Sequence, residues 1–173
     1  WASISGGVSN TANYEYTSVS GGAENTASGQ YAAIGGGYKN QATGLLGSVS
    51  GGRYNTASGL CSAVAGGGGD TAGDGNEAFA DYSVVSGGRN NRTGDGVTHA
   101  NGIQSAVSGG DTNRASGQAA SVSGGMLNTA TSGQAASVSG GYANTASGVE
   151  ASVSGGYSNT ASAFQSSVSG GNF

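Results

Sequence analysis

Asp74 and Asp95 each stand between two glycines, in Gly73-Asp74-Gly75 and Gly94-Asp95-Gly96, a setting that could support chemistry. Hard oxygen ligands on glycine-rich loops favour calcium. Two carboxylates that approach one another need a cation or an arginine between them. Six of the nine acidic residues fall in one stretch: Asp70, Asp74, Glu77, Asp81, Asp95 and Asp111. Arg89, Arg92 and Arg114 share it, so an arginine-balanced, solvated acidic loop competes with a calcium site. An acid-pair hydrolase would use the same two aspartates. However, His99, the single histidine, has no Gly-x-Ser-x-Gly nucleophile to serve, and Gly66-Gly67-Gly68-Gly69 lacks the Gly-Lys-Ser/Thr of a phosphate loop. The chain is therefore read as no enzyme, with Glu77, Asp81 and His99 as partner contacts. Asn91-Arg92-Thr93 matches a glycosylation sequon, a weak signal in a chain rich in Asn and Thr.

The composition closes other classes. Among 173 residues Gly supplies 37 and Pro none, which excludes collagen, and 8% charged residues is too few for a self-repelling disordered tail. No apolar run reaches the length of a membrane-spanning helix. Net charge is −4 with five cations, which argues against a nucleic-acid groove. Cys61 stands alone, so no intrachain disulfide is expected. With no signal peptide or initiator Met, residues 1–173 read as a segment of a longer repeat array.

What must position the loops is a repeat. Val or Ile followed by x-Gly-Gly recurs at Ile4, Val19, Ile34, Val49, Val64, Val85, Val107, Val122, Val138, Val153 and Val168, with spacings of 15 or 16 except for 21 and 22 in the middle. Numbering the unit from the residue before Val places Val at 2, a Gly pair at 4 and 5, Asn at 8, Thr at 9 and Ala at 10. Fifteen residues rich in Gly, Ser, Thr and Asn are too short and too poor in helix formers for a helical hairpin. They suit one coil of a parallel β-solenoid. Alternation along strands sends places 2, 4, 10 and 15 inward and the Ser residues at 1 and 3 outward. The prediction is an all-β, single-domain parallel β-roll of about eleven coils, two of them enlarged.

Place 8 is read as Asn10, Asn25, Asn40, Asn55, Asp70, Asn91, Asn113, Asn128, Asn144 and Asn159, an asparagine ladder whose amides bond along the stack and tolerate left-handed backbone. The insertions are placed after place 10, at 73–83 and 94–105, and are expected to stack into one protrusion that brings Asp74 and Asp95 together. Tyr16, Tyr31, Leu46, Cys61 and Tyr82 share place 14, while Tyr38, Met126, Tyr142 and Tyr157 share place 6. Such outward apolar stripes mark contact with another chain.

The pattern Ser-Val-x-x-Gly-x-x-Asn-x-Ala-x-Gly resembles the YadA-like head repeats of trimeric autotransporter adhesins, which read roughly Ser-Val-Ala-Ile-Gly-x-x-Ser-x-Ala-x-Gly. The resemblance covers nearly the whole chain. It implies a left-handed parallel β-roll, three chains side by side, display on a bacterial surface and binding to host matrix or other cells. Two departures stand out: Gly replaces the family's inward Ile at place 4, and the period is one residue longer than usual. The expected function is an extracellular structural or adhesive rod. Head-to-tail or lateral self-association is expected because neither end carries a capping device. The alternative is an ice-binding solenoid that uses the outward Thr of place 9, including Thr71, and the Ser of place 11. Gln41, Arg92 and Arg114 interrupt that column.

Overall fold

Val19, Ile34, Val49, Val64, Val85, Val107, Val122, Val138 and Val153 line the interior, none more than 1% exposed. The computed structural model describes residues 1–131 and 134–172. Stiff β-branched side chains at place 2 suit a pleated strand, and each coil makes one two-residue strand at places 1–2. From Ser3–Ile4 to Ser167–Val168 these strands form an 11-stranded parallel sheet, one strand per coil, in coils 1 to 11. A second strand at places 9–10, from Thr11–Ala12 to Thr160–Ala161, builds a 10-stranded parallel sheet. Isolated bridges at place 6, such as Val8 with Ala23 and Ala23 with Tyr38, add a third line of contact. Ala27, Ala42, Ala57, Ala78, Ala115, Ala130, Ala146 and Ala161 complete the core from place 10. The chain is thus an all-β parallel solenoid whose only helical element among the described residues is the short 3-10 turn Ala72–Asp74. Among the described residues no helix is long and apolar enough to cross a membrane.

The corners depend on residues in left-handed backbone. They fall at place 7 (Glu24 at φ 56°, Lys39 at 53°, Tyr54 at 58°) and place 14 (Tyr16 and Tyr31 at 60°). Such angles are uncommon for non-glycine residues, and backbone bonds to the preceding coil hold them in place. Glu24 N–H donates to Val8 O at 2.9 Å and Tyr31 N–H to Glu15 O at 3.0 Å. The Asn of place 8 was expected to take this conformation, but the residue before it does so instead.

The glycine pair divides its labour. At place 5 φ is positive, as at Gly125 (82°), and a Cβ would collide with Gly141 O of the next coil. Only glycine fits there. At place 4 a Cβ on Gly124 or Gly140 would meet nothing within 4 Å, so this place opens outward rather than inward as expected. Alternation fails because the strand is two residues long and the turn begins immediately after it.

The asparagine ladder is real, and its rungs from Asn10 to Asn144 are built alike. Asn40 Nδ2 donates to Gly36 O of its own coil and to Gly52 O of the next, both at 2.9 Å, while its Oδ1 accepts Asn55 N–H at 3.0 Å. Each of these side chains thereby satisfies three backbone groups, and from Asn25 onward the rung is fully buried.

The rung in coil 5 is Asn76, not Asp70: Asn76 N–H donates to Asn55 Oδ1 and Asn76 Oδ1 accepts Asn91 N–H, both at 2.9 Å. Asp70-Thr71-Ala72 imitates Asn-Thr-Ala, but a carboxylate has no N–H for the two glycine carbonyls. The first insertion therefore spans residues 69–74, ahead of place 8, and Glu77–Ala78 is a strand paired in register with Thr56–Ala57 and Arg92–Thr93. The second insertion spans residues 95–101, after Arg92–Thr93. The expected bounds 73–83 and 94–105 shift accordingly, and the two loops leave opposite ends of neighbouring strands.

Candidate contact site

Asp74 precedes its strand and Asp95 follows the neighbouring one, so the fold does not bring them together. Each is held by local donors. Thr71 N–H and Thr71 Oγ1 donate to Asp74 Oδ2 at 3.0 and 2.8 Å, and Arg89 Nη1 lies 3.8 Å from Asp74 Oδ1. The Thr71 bonds, followed by Arg89, hold the Asp74 carboxyl below its ordinary range. Arg89 also donates to Asp111 Oδ2 from Nη2 at 2.5 Å and from Nε at 3.2 Å. This bond is the main reason Asp111 is depressed and Arg89 raised. Arg53 pairs with Asp70 at 2.6 Å. The acidic stretch is thus threaded by arginines along the place 6 edge, the arrangement set against calcium in the sequence.

The second insertion folds around Asp95. Its Oδ1 accepts Val97 and Thr98 N–H at 2.8 and 3.0 Å, and its Oδ2 accepts Asn101 Nδ2 at 2.6 Å. These bonds, Asn101 first, lower the Asp95 carboxyl to about 2. Arg114 braces the entry by donating to Gly94 O and Asp95 O. It lies in register beside Arg92, which likewise reaches back to the preceding coil, its Nε 2.9 Å from Glu77 Oε2. His99 closes the loop onto coil 5. Its ring stacks on Phe79 with centroids 4.2 Å apart, its Nδ1 lies 2.5 Å from Phe79 O, and its carbonyl accepts Asp81 N–H at 2.9 Å. Asp81 Oδ1 in turn accepts Leu60 N–H at 2.8 Å. Beneath the loop, Thr93 replaces the usual core Ala, and its hydroxyl lies 2.6 Å from Ser83 Oγ.

Glu77, Asp81 and His99 therefore all bind within the chain. Among the described residues no three His, Cys, Asp or Glu side chains group as metal ligands. The sequon asparagine, Asn91, is buried as a ladder rung and presents no amide to a glycosylating enzyme. The stacks of Phe79 on His99 and of Arg89 between two aspartates went unread in the sequence, because both depend on where the insertions leave the coil.

The tyrosines form the apolar part of the surface. Tyr16 and Tyr31 stack nearly parallel at 4.9 Å, Tyr142 and Tyr157 at 5.1 Å, and Tyr82 is 52% exposed. The place 14 stripe occupies the first five coils, while Met126, Tyr142 and Tyr157 occupy the opposite edge in the later ones. On the Thr face, Glu77 takes the column position expected for Thr71, so Gln41, Glu77, Arg92 and Arg114 separate the threonines.

Residues 105–117 match the ubiquitous surface protein adhesin repeat. That segment is one coil, from the buried Ser105 through the Val107 strand and the Asn113 rung to Gly117. The match and the parallel solenoid together fit YadA-like head repeats, and the chain is an adhesin-like repeat protein. No curated protein matches the sequence.

Proposed function

We propose that this chain is a non-catalytic, extracellular rod segment on a bacterial surface that lengthens by coil stacking and makes adhesive contacts through its edges. The carrying observation is the ladder: each rung from Asn10 to Asn144 gives its Oδ1 to the next rung's N–H, in one register that passes both insertions unbroken. The paired tyrosine stripes suit lateral contact with a second rod or with host matrix or another cell surface. Ice binding is less well supported, because charged side chains divide the threonine column. The test is display of the chain on an anchored cell surface. Adherence to matrix-coated plates or to other cells, with rods visible by electron microscopy, is expected. Absence of adherence together with a stable monomer in sedimentation at high concentration would overturn the reading.

A further inference from the structure

Asn101 differs from every other asparagine in the chain: it alone is followed by glycine. The ladder asparagines from Asn25 to Asn159 are buried, their amides are held by two carbonyls, and none precedes a glycine. Asn101 is exposed, and the N–H of Gly102 finds no acceptor among the described residues. Gly102 is itself buried and sits at φ 85°, and having no Cβ it puts no side chain of its own between its backbone nitrogen and Asn101.

We propose that Asn101 is a spontaneous deamidation site and that its conversion releases the 95–101 loop. The Gly102 nitrogen attacks Asn101 Cγ, forming the ring C–N bond. The Cγ–Nδ2 bond breaks and Nδ2 leaves as ammonia, carrying the proton lost from Gly102. Water then opens the cyclic imide at either carbonyl, leaving a carboxylate on a normal or a side-chain-linked backbone. No oxidant or enzyme is required.

The consequence follows from what Asn101 touches. Its Nδ2 is the donor to Asp95 Oδ2 at 2.6 Å. After conversion that donor is replaced by a second carboxylate facing the first, and like charges at this range repel. Asp95 keeps only the Val97 and Thr98 amides, and the loop that seats His99 against Phe79 and Asp81 loosens. The modification thus exchanges a closed loop with one carboxylate for a more open one with two.

The test is incubation of the purified chain at mildly alkaline pH, followed by peptide mass spectrometry and hydrogen exchange. The mass change of NH2 replaced by OH is expected first at Asn101, with isoaspartate among the products, and is expected to vanish in Asn101→Gln. Asn101→Asp, and native protein aged and separated by charge, should both lose exchange protection at Val97 and Thr98 while the Asn91 rung keeps its own. Earlier conversion at any other asparagine overturns the site. Unchanged protection at Val97 and Thr98 in both the variant and the aged protein overturns the release.

Discussion

Asn76 and Asn55 are joined across the first insertion by a 2.9 Å bond from the Asn76 N–H to Asn55 Oδ1, although 21 residues separate them. The insertion is therefore extruded from an unbroken ladder, and the coils on either side keep the register of Ala63 with Val84 and Thr56 with Glu77. Each rung joins two coils, so a fault in one propagates to both neighbours.

Asn91→Ala removes two donated bonds and one accepted bond from a buried site. Unsatisfied buried polar groups cost about 1–3 kcal/mol, so its unfolding free energy should fall by that order. Asn159→Ala should fall less, because its Oδ1 accepts no bond among the described residues. Equal losses in urea titrations would show that rung bonds are not cooperative.

Adjacent glycines should respond oppositely. Gly125→Ala would drive a Cβ into Gly141 O at a positive φ, and overpacking costs about 1–3 kcal/mol. Gly124→Ala meets open space and should be neutral or stabilise by about 0.4–1 kcal/mol through the unfolded chain. Thermal melts of the two variants check this directly.

Acid should open the second loop late. Asp95 is depressed in the folded state to about 2, so its contribution is present above the unfolded value, near 3.9, and is lost as pH falls through the folded one. Exchange of the Val97 and Thr98 amides should therefore rise between about pH 4 and pH 2. In Arg89→Ala the Asp111 and Asp74 titrations should move upward, toward ordinary carboxylates, because the guanidinium between them is gone. Carboxyl NMR titration reads both.

Calcium should not bind between Asp74 and Asp95. A ligand selective for the native state raises its stability by mass action. With the two carboxylates at opposite strand ends, added calcium or chelator should leave the melting temperature unchanged. A calcium-dependent rise would require a site elsewhere.

The freezing behaviour of a dilute solution tests the threonine face. Glu77, Arg92 and Arg114 are consecutive neighbours in that column, so thermal hysteresis should be absent.

Val19 and Asn25 were legible in the sequence because a stacked interior repeats the same side chain at the same spacing. Coil 5 was misread because Asp70-Thr71-Ala72 copies the letters of a rung, and only the donor chemistry of the amide singles out Asn76. Once that rung moved, the insertion boundary, Thr71 and the pairing of Glu77 with Arg92 moved with it. The loop around Asp95 was legible as an acidic insertion but not as a closed one. Its bonds from Val97, Thr98 and Asn101 are local turns without a repeat to expose them.

The bonds between coils run along the rod, which gives it a mechanical character. A pull on its two ends loads the coils in series, each with the same force, so the weakest coil detaches first. A 15-residue coil contributes about 4.8 Å to the rod when stacked and about 50 Å when drawn out, at about 3.4 Å per residue. One released coil therefore lengthens the tether roughly tenfold more than it shortens the rod. Under load the molecule would behave as a sacrificial spring, yielding in steps while the remaining rungs hold.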